Sequence, residues 1–369
     1  MLRKKVTNRL KNSTISLKYY QQITIYVCIK FPSNNQAFVK RLTYPKGLAS
    51  RQKDYPVLNT FFFTSCWLGW VMDQSLVSMR DLIFRLNSRN IKIDISTFSQ
   101  ASKTRDTAVF EKLLEKATKC LKKKKGTTKN KIYFPLDSTI ISLTSKLLWN
   151  QDYHQVKLFC GLNSWTNEVG GIMINFGQGH DSKYGEKTIE EIPENGIGIM
   201  DRGFASQSRI RKLLSKEKQF FVLRIKNNTK LYILENGNCL VGAKKEQTEV
   251  RVVNFCSIEN RSEYRLATNL NSSEFNHEEI GEVYRCRWGI ETLWKFLKMH
   301  LKLDRLMTKN ENGIRIQIYS CLIIYLILQL IEIPPEIGVK VLDKLRYLQS
   351  FMNENISYIH WFRRLSFTW

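Results

Sequence analysis

Residues 284–298 read YRCRWGIETLWKFLK, a run that mixes charged and aromatic side chains. Tyr284, Arg287, Glu291 and Lys298 follow one another at intervals of three, four and seven residues. At about 100° per residue, all four fall within a helix stripe about 60° wide. A stripe that only packed against a core would be apolar. The run therefore predicts either a helix face that carries chemistry or a solvated charged face with an Arg287–Glu291 pair.

Two aspartates stand at places that suit the same chemistry. Asp137 lies within strand-like sequence, and Asp201 ends the short apolar run Ile197–Met200. Two-metal phosphodiester cleavage needs carboxylates from separate elements around ions roughly 3.5–4 Å apart. Mg²⁺ prefers such oxygen ligands. A lone Asp at a strand end is more often a turn or cap residue, so the pattern by itself leaves both roles open.

The spacing Tyr-x2-Arg-x3-Glu-x6-Lys resembles the Tyr-Arg-Glu-Lys signature of bacterial DDE transposases of insertion-sequence family 4, with no residue missing. DST at 137–139 and DRGF at 201–204 are similar to the two aspartate blocks of that family. LATNL at 266–270 resembles the Thr-containing strand that precedes the signature helix. The intervals of 64 and 90 residues between Asp137, Asp201 and Glu291 also fit, since the family inserts a β-block before the Glu. The resemblance covers about residues 130–330.

The resemblance implies an α/β fold with a ribonuclease-H-like catalytic core and a β-rich insertion. It also implies metal-dependent cleavage at element ends and strand transfer into target DNA, a cut-and-paste reaction. Asp137, Asp201 and Glu291 would be the catalytic residues and the ligands of two Mg²⁺ or Mn²⁺ ions. Many relatives form a DNA hairpin, for which Tyr284, Arg287 and Lys298 would hold phosphates near the cut.

Four further residues are candidate DNA contacts. Relatives flip a base onto aromatic side chains, and base–aromatic stacking contributes roughly 1–3 kcal/mol. Trp288 and Tyr264 are candidates for this stacking, with a core position for Trp288 and an ordinary strand position for Tyr264 as the alternatives. Arg202 and Arg224 are candidate phosphate contacts, with surface salt bridges as the equal alternative.

The charge of the chain agrees with a nucleic-acid partner. Its 58 Lys and Arg residues outnumber 33 Asp and Glu residues and give a net charge of +25. Such a field attracts polyanions, although ribosomal-type and membrane-surface proteins share it. The expected partners are the terminal inverted repeats of a mobile element and target DNA, bound by a homodimer in the synaptic complex, with no membrane.

The cysteines and the apolar runs constrain the compartment. Eight cysteines are scattered without a C-x-x-C pair and only five histidines are present, so a structural zinc site is not expected. Free thiols suit the reducing cytoplasm of a bacterium, where the protein would associate with the nucleoid. The N-terminus lacks the apolar core of a signal peptide. Ile318–Ile331 is shorter than a membrane span and predicts a buried helix.

The order of patterns predicts three regions. Residues 1–126 form a largely helical DNA-binding region, in which the first 50 residues are uncertain and an ordinary helical packing domain is an equal alternative. Three helices are predicted in this region. The first covers Thr60–Met72, the second begins with Ser75 as its cap, and the third runs from a cap at Asp94 toward Leu121. The charged run Lys122–Lys125 predicts a solvated linker. Residues 337–369 form a C-terminal helical tail.

Residues 127–336 alternate strands and helices and form the catalytic domain, with its β-insertion at about 218–275. Strand-like runs stand at 132–134, 140–143, 156–159, 171–174, 197–200, 220–225 and 264–268. A long helix is predicted from Asn276 past Lys298. The main hypothesis is thus a DDE transposase; the alternatives are an inactive transposase-derived DNA-binding protein and another ribonuclease-H-like nuclease.

Overall fold

The structure is a computed structural model that describes residues 57–88, 90–128, 130–143, 154–177, 184–242, 247–256 and 263–352. The chain divides into two compact units. The helical unit comprises Met1–Lys124 and Leu297–Trp369, and the sheet unit comprises Lys125–Phe296. Residues 297–336, which the sequence assigned to the catalytic domain, therefore pack in the helical unit. The uncertain first 50 residues and the end of the C-terminal tail lie outside the described residues.

The helical unit is built around a long apolar helix. Its described helices are α1 (Thr60–Met72), α2 (Met79–Ser88), α3 (Ile95–Thr104), α4 (Ala108–Lys125), α9 (Glu311–Leu330), α10 (Val341–Met352) and the end of α8 (Trp288–His300). Helix α9 packs against α1, α3 and α10. By length and composition α9 could cross a membrane, but 78% of its apolar window is buried inside the protein. This confirms the expected buried helix.

Local sequence explains two of these helices directly. Helix α1 has the predicted bounds, and the Asn59 side chain accepts a hydrogen bond from the Phe62 backbone N–H at 2.8 Å. Asp94 caps α3 as predicted, accepting from Ser96 N–H at 2.7 Å. Apolar side chains of both helices are buried, so tertiary packing adds to the caps.

Three helix boundaries in this unit were predicted wrongly. Helix α2 begins at Met79, because the Ser75 hydroxyl bonds Asp73 while Asp81 accepts from Ser78 N–H at 2.7 Å. The helix from Asp94 is two helices, because Asp106 accepts from Ala108 N–H at 2.9 Å and starts α4 anew. The Lys122–Lys125 run is not a linker but the exposed last turn of α4, since Lys is a good helix former and Gly126 (φ 69°) follows it.

The sheet unit contains one mixed sheet in the order β3-β2-β1-β4-β5-β9-β8-β7-β6. Its described strands are β1 (Tyr133–Ser142), β2 (Gln155–Leu162), β3 (Val169–Phe176), β4 (Ile197–Met200), β5 (Phe220–Ile225), β6 (Leu231–Ile233), β7 (Cys239–Val241), β8 (Thr248–Cys256) and β9 (Glu263–Thr268). The helices are α5 (Glu186–Glu190), α6 (Gln207–Leu214), α7 (His277–Arg285) and the start of α8. The predicted mixed α/β class is confirmed.

Strand directions divide the sheet into two regions. Strands β1, β2 and β3 are antiparallel neighbours, whereas β4 pairs in parallel with both β1 and β5. The remaining strands β6–β9 are antiparallel and occupy the segment for which the sequence predicted a β-rich block. The predicted runs 132–134 and 140–143 fall largely within the single strand β1, because its pairing with β4 over Tyr133–Leu136 continues directly into its pairing with β2 over Leu136–Ser142.

The long helix predicted from Asn276 past Lys298 is two helices. Asn276 and Glu279 form a capping box that starts α7 as predicted. After Arg285 the chain makes tight hydrogen bonds, from Arg287 N–H to Tyr284 O at 3.1 Å and from Gly289 N–H to Cys286 O at 3.1 Å. These bonds reach back three residues instead of four, which tightens the turn and interrupts the α-helix. The continuous stripe of the sequence analysis is therefore broken between Tyr284 and Trp288.

Candidate active site

Two carboxylates lie side by side on the central strands of the sheet unit. Strands β1 and β4 pair in parallel, with Leu136 opposite Met200. Asp137 and Asp201 each follow one residue later, so they occupy matching positions on neighbouring strands, which lie ~4.8 Å apart in sheets. Asp201 is also where β4 ends and a short 3-10 turn, Arg202–Phe204, begins. The strand register therefore brings together two residues that are 64 positions apart in sequence.

Helix α8 presents the third carboxylate to this place. Glu291 lies in the first turn of α8. One turn later, the Trp294 indole Nε1–H donates a hydrogen bond to Asp137 Oδ2 at 3.2 Å. Trp294 is 5% exposed, so this contact holds the buried side of α8 against β1. Asp137, Asp201 and Glu291 come from three separate elements of one compact unit.

Basic and aromatic side chains surround the carboxylates. Arg287 Nη1 lies 2.6 Å from Glu291 Oε1. The Tyr284 hydroxyl donates to Asp201 Oδ1 at 3.2 Å, and Arg224 Nη1 lies 3.6 Å from the same oxygen. The Arg224 guanidinium covers the Tyr264 ring at 4.1 Å, and this ring lies 6.2 Å from the Tyr284 ring. The site thus alternates acidic groups with the groups that bind them.

Burial raises the pKa values of two side chains of the site, Asp137 and Tyr284. Burial raises the pKa of Asp137 to about 6, and the Glu291 charge adds to the rise, although Arg287 and the Trp294 hydrogen bond oppose it. Burial also raises the pKa of Tyr284 to about 12, with a further contribution from the Asp201 charge. Tyr284 therefore keeps its proton at neutral pH and serves as a hydrogen-bond donor.

The carboxylates lie close together without forming a ready metal cluster. In the described part of the chain, no group of three or more His, Cys, Asp or Glu side chains is arranged to hold a metal ion. The Glu291 carboxylate faces Arg287, and Asp201 faces Tyr284 and Arg224. The ligand chemistry nevertheless suits a hard divalent cation, because the available atoms are carboxylate oxygens. A cation would also relieve the repulsion from Glu291, which adds to the larger effect of burial in raising the pKa of Asp137.

The other predicted residues lie at varying distances from this centre. Trp288 is 66% exposed, which excludes the core position that was its alternative. Tyr264 and Arg224 pack directly on the site, whereas Arg202 is exposed on the turn after Asp201. Lys298 lies on α8 seven residues after Glu291, in the part of that helix that belongs to the helical unit.

The sequence analysis missed Trp294 as a member of the site. It lies three residues after Glu291, and this i,i+3 spacing on a helix was the available pattern. Residue spacing also did not indicate that the guanidinium groups of Arg224 and Arg287 would each retain an N–H donor without a hydrogen bond in the described part of the chain. In the part of the chain that the structure describes, the buried Nε atoms of Arg224 and Arg287 have no hydrogen-bond partner. Such unpaired donors are costly to bury.

Comparison with known proteins agrees with this geometry. The model of the transposase DDE domain matches residues 131–327, more than half of the chain. This chain belongs to the DDE transposase family. The transposase is 56% identical over 319 residues to a Synechocystis sp. protein named "Putative transposase for insertion sequence element IS4SA", covering 85% of this chain and 94% of the relative. The resemblance carried by residues 284–298 is thereby confirmed.

A second relative is more distant. The transposase is 24% identical over 260 residues to a Geobacillus stearothermophilus protein named "Probable transposase for insertion sequence element IS5377", covering 63% of this chain and 66% of that protein. The family match and the first relative together establish an enzyme that acts on DNA. The predicted function class is confirmed.

Proposed function

We propose that this transposase is catalytically active and that Asp137, Asp201 and Glu291 are its catalytic carboxylates. The reaction is cleavage at the ends of an insertion sequence followed by strand transfer into target DNA. The observation that carries the proposal is the convergence of three carboxylate-bearing elements: the paired strands β1 and β4, and helix α8 bonded to Asp137 through Trp294. The mixed sheet around Asp137 and Asp201 supports a ribonuclease-H-like core in residues 127–296.

Divalent metal ions fit the carboxylates, and we assign them to Asp137, Asp201 and Glu291. Two Mg²⁺ or Mn²⁺ ions would activate a water molecule or a 3′-hydroxyl and stabilise the charge of the leaving oxygen. The protein's part is to hold the three carboxylates ready. Trp294 orients Asp137, and Tyr284 and Arg224 orient Asp201. Both aspartates are thus fixed by neighbouring donors before any DNA arrives.

The basic residues of the site bind the DNA backbone. Arg287 and Arg224 carry the unpaired Nε donors, and a guanidinium contacts phosphate with two parallel hydrogen bonds. Tyr284 stays protonated and donates, and Lys298 and Arg202 add positive charge along α8 and after Asp201. These side chains hold phosphates near the cut, including those of a DNA hairpin.

Exposure separates the two aromatic candidates. Trp288 is 66% exposed at the first position of α8, next to Arg287, and is the better candidate for stacking on a flipped base. Tyr264 lies beneath the Arg224 guanidinium. We therefore assign Tyr264 a supporting role, in which its ring positions Arg224.

The remaining assignments concern the rest of the chain. Residues 1–126 would recognise the terminal inverted repeats, and two copies of the chain would bring two ends together. The described part of this region contains α1–α4, with the exposed basic turn Lys122–Lys125. A location with the bacterial nucleoid follows from these DNA contacts and from the charge of +25.

The test is a nicking and strand-transfer assay on DNA that carries the flanks of the gene, where the terminal repeats are expected. Asp137→Asn, Asp201→Asn and Glu291→Gln should each abolish cleavage with Mg²⁺ or Mn²⁺ and retain binding to the ends. Glu263→Gln is the matched control, because Glu263 is an exposed carboxylate of the same sheet unit. Retention of more than a few percent of cleavage by one variant would remove that residue from the catalytic set.

The same assay separates the alternatives. A wild-type chain that binds the ends but does not nick them with either ion is the inactive DNA-binding protein. A chain that nicks but never joins a 3′-hydroxyl to target DNA is a nuclease. Activity that depends on stoichiometric zinc would contradict the assignment of an all-carboxylate magnesium site.

A further inference from the structure

The Glu291 carboxylate is engaged by an ion pair within its own helical segment. Arg287 Nη1 and Glu291 Oε1 are 2.6 Å apart, and the side chains are 15% and 33% exposed. Partial burial strengthens such a pair, because fewer water molecules screen it. A cation that uses Glu291 has to compete with this guanidinium.

We propose that Arg287 is a switch that couples DNA binding to assembly of the cation site. Without DNA, the guanidinium binds Glu291 and keeps the third ligand from the cation. When a DNA phosphate binds Arg287, the guanidinium turns to the phosphate and Glu291 becomes available. This inference rests on the proposed role of Glu291 as a cation ligand.

The charges of the site support this exchange. Three carboxylates converge, and Arg287 and Arg224 supply the positive charge that balances Glu291 and Asp201. The Arg287 guanidinium therefore supplies positive charge that a divalent cation would otherwise supply beside Glu291. The described residues include no preassembled cluster of metal ligands.

The local structure gives Arg287 the means to exchange partners. It lies in the tight turn between α7 and α8, outside both helices. Its Nη1 binds Glu291, while the buried Nε–H has no acceptor among the residues that the structure describes, so the ion pair leaves this donor unused. A phosphate accepts two parallel hydrogen bonds from Nε and Nη and would satisfy that donor. The exposed Trp288 marks the adjacent surface as open to DNA.

Coupling of this kind is reciprocal: DNA should raise cation affinity, and the cation should raise DNA affinity by the same factor. Coupling between two ligands is typically about 5- to 150-fold. It would keep the chain from assembling a nuclease centre before an element end is in place.

The experiment measures Mn²⁺ binding to the purified full-length chain by electron paramagnetic resonance of free Mn²⁺. Arg287→Gln frees Glu291 and should bind Mn²⁺ at least about fivefold more tightly than wild type without DNA. The DNA end that cleavage produces in the nicking assay is then added, and the Mn²⁺ bound by DNA alone is subtracted. This DNA should tighten Mn²⁺ binding to wild type and not to Arg287→Gln. Arg285→Gln is the matched control, since it removes an equal charge from an exposed Arg285–Glu282 pair at 2.7 Å.

The outcomes distinguish this inference from the proposed function. If Glu291→Gln leaves Mn²⁺ affinity unchanged, Glu291 is not a ligand and the proposed site fails. If Glu291→Gln weakens binding but Arg287→Gln matches wild type or binds less tightly, only the coupling is overturned. If Arg285→Gln tightens Mn²⁺ binding to the same extent, net charge explains the effect and the coupling is overturned as well. If Arg287→Gln does not fold, Arg287→Lys replaces it, with tighter binding than wild type expected and equal or weaker binding contradicting the switch.

Discussion

A buried lysine of the helical unit and two arginines of the sheet unit differ in how completely their donors are paired. In the helical unit, Lys302 is 2% exposed, and its ammonium donates to the carbonyl oxygens of Trp70 at 2.9 Å, of Leu76 at 2.6 Å and of Asp73. All three protons of the ammonium are used. In the sheet unit, the buried Nε donors of Arg224 and Arg287 have no partner among the described residues. The comparison indicates that Lys302 stabilises the fold, whereas Arg224 and Arg287 retain a donor that a ligand could use.

The carbonyls that Lys302 binds explain its burial. Trp70 and Asp73 are at the end of α1, where helix carbonyls lack partners within the helix. The ammonium also lies 4.4 Å from the centre of the Trp70 ring. Burial lowers the pKa of Lys302 to about 8, against an opposing effect of Asp73. Lys302 therefore joins the segment after α8 to the end of α1 by satisfying groups that would otherwise be buried unpaired.

The largest expected effect comes from breaking this satisfied cluster. Lys302→Met should lower the free energy of unfolding by about 3–5 kcal/mol, since it leaves three buried carbonyl oxygens without donors, each at a cost of about 1–3 kcal/mol. Thermal melting monitored by circular dichroism gives the result. Lys340→Met, which removes an exposed lysine of the same unit, is the control and should melt like wild type. Equal melting temperatures for both variants would show that the Lys302 contacts do not stabilise the unit.

A substitution at Asp137 is expected to raise the free energy of unfolding instead of lowering it. The folded-state pKa of Asp137 is about 6, raised from 3.8 mainly by burial. Between these values the folded state binds more protons than the unfolded state, so stability falls as pH rises through this window. Asp137→Asn removes the penalty. In metal-free buffer above pH 6 the variant should therefore be more stable than wild type by about 2–3 kcal/mol, at about 1.4 kcal/mol per pKa unit.

Urea unfolding at several pH values checks this prediction. The advantage of Asp137→Asn should fade as pH falls through 6 and vanish below 3.8, where the wild-type carboxyl is protonated in both states. Excess Mg²⁺ should stabilise wild type more than the variant, because the variant has lost a proposed ligand. An advantage that is independent of pH would attribute the gain to packing and not to the charge of Asp137.

A smaller effect is expected from removing the side-chain donor that binds Asp137. Trp294→Phe retains a ring but removes the donor to Asp137 Oδ2. A hydrogen bond to a charged group contributes about 1.5–3 kcal/mol, so cleavage at saturating DNA should fall at least about tenfold with little loss of DNA binding. Trp165→Phe is matched, because its Nε1–H donates to Gly126 O at 3.2 Å in the same unit. Equal rates in the two variants would mean that Trp294 does not position Asp137.

The smallest effect concerns Lys298. If it contacts one DNA phosphate, Lys298→Ala should reduce the salt dependence of binding by about one counterion, with folding nearly unchanged. A salt titration of binding beside thermal melting gives both quantities. A lower melting temperature with an unchanged salt dependence would make Lys298 a packing residue.

The sequence predicted the features of the chain that depend on neighbours along it. Asn59 and Asp94 cap helices because their partners are two or three residues away, and the apolar runs of β4 and β5 are buried strands. Trp294 and Lys302 were missed because their partners are 157 and more than 200 residues away. Such contacts depend on the tertiary fold, which local spacing does not encode.

The interruption between α7 and α8 was missed for a related reason. Residues 284–298 have a strong helical period, and only Gly289 disfavours a helix. The tight turn leaves Tyr284 bonded to Asp201 and Arg287 bonded to Glu291. Spacing singled out Tyr284, Arg287 and Glu291 as candidates, although the single helix on which that spacing was projected does not exist. Their grouping is a property of the fold around them.

The most direct test of the central claim is iron-directed cleavage of the protein backbone. Fe²⁺ placed in the cation site, with ascorbate and peroxide, cuts the chain near the ligands that hold it. The account predicts three groups of cuts, near Asp137, Asp201 and Glu291, which excess Mg²⁺ suppresses and Asp137→Asn weakens at all three. Cuts at one of these residues alone, or elsewhere in the chain, would contradict a shared cation site.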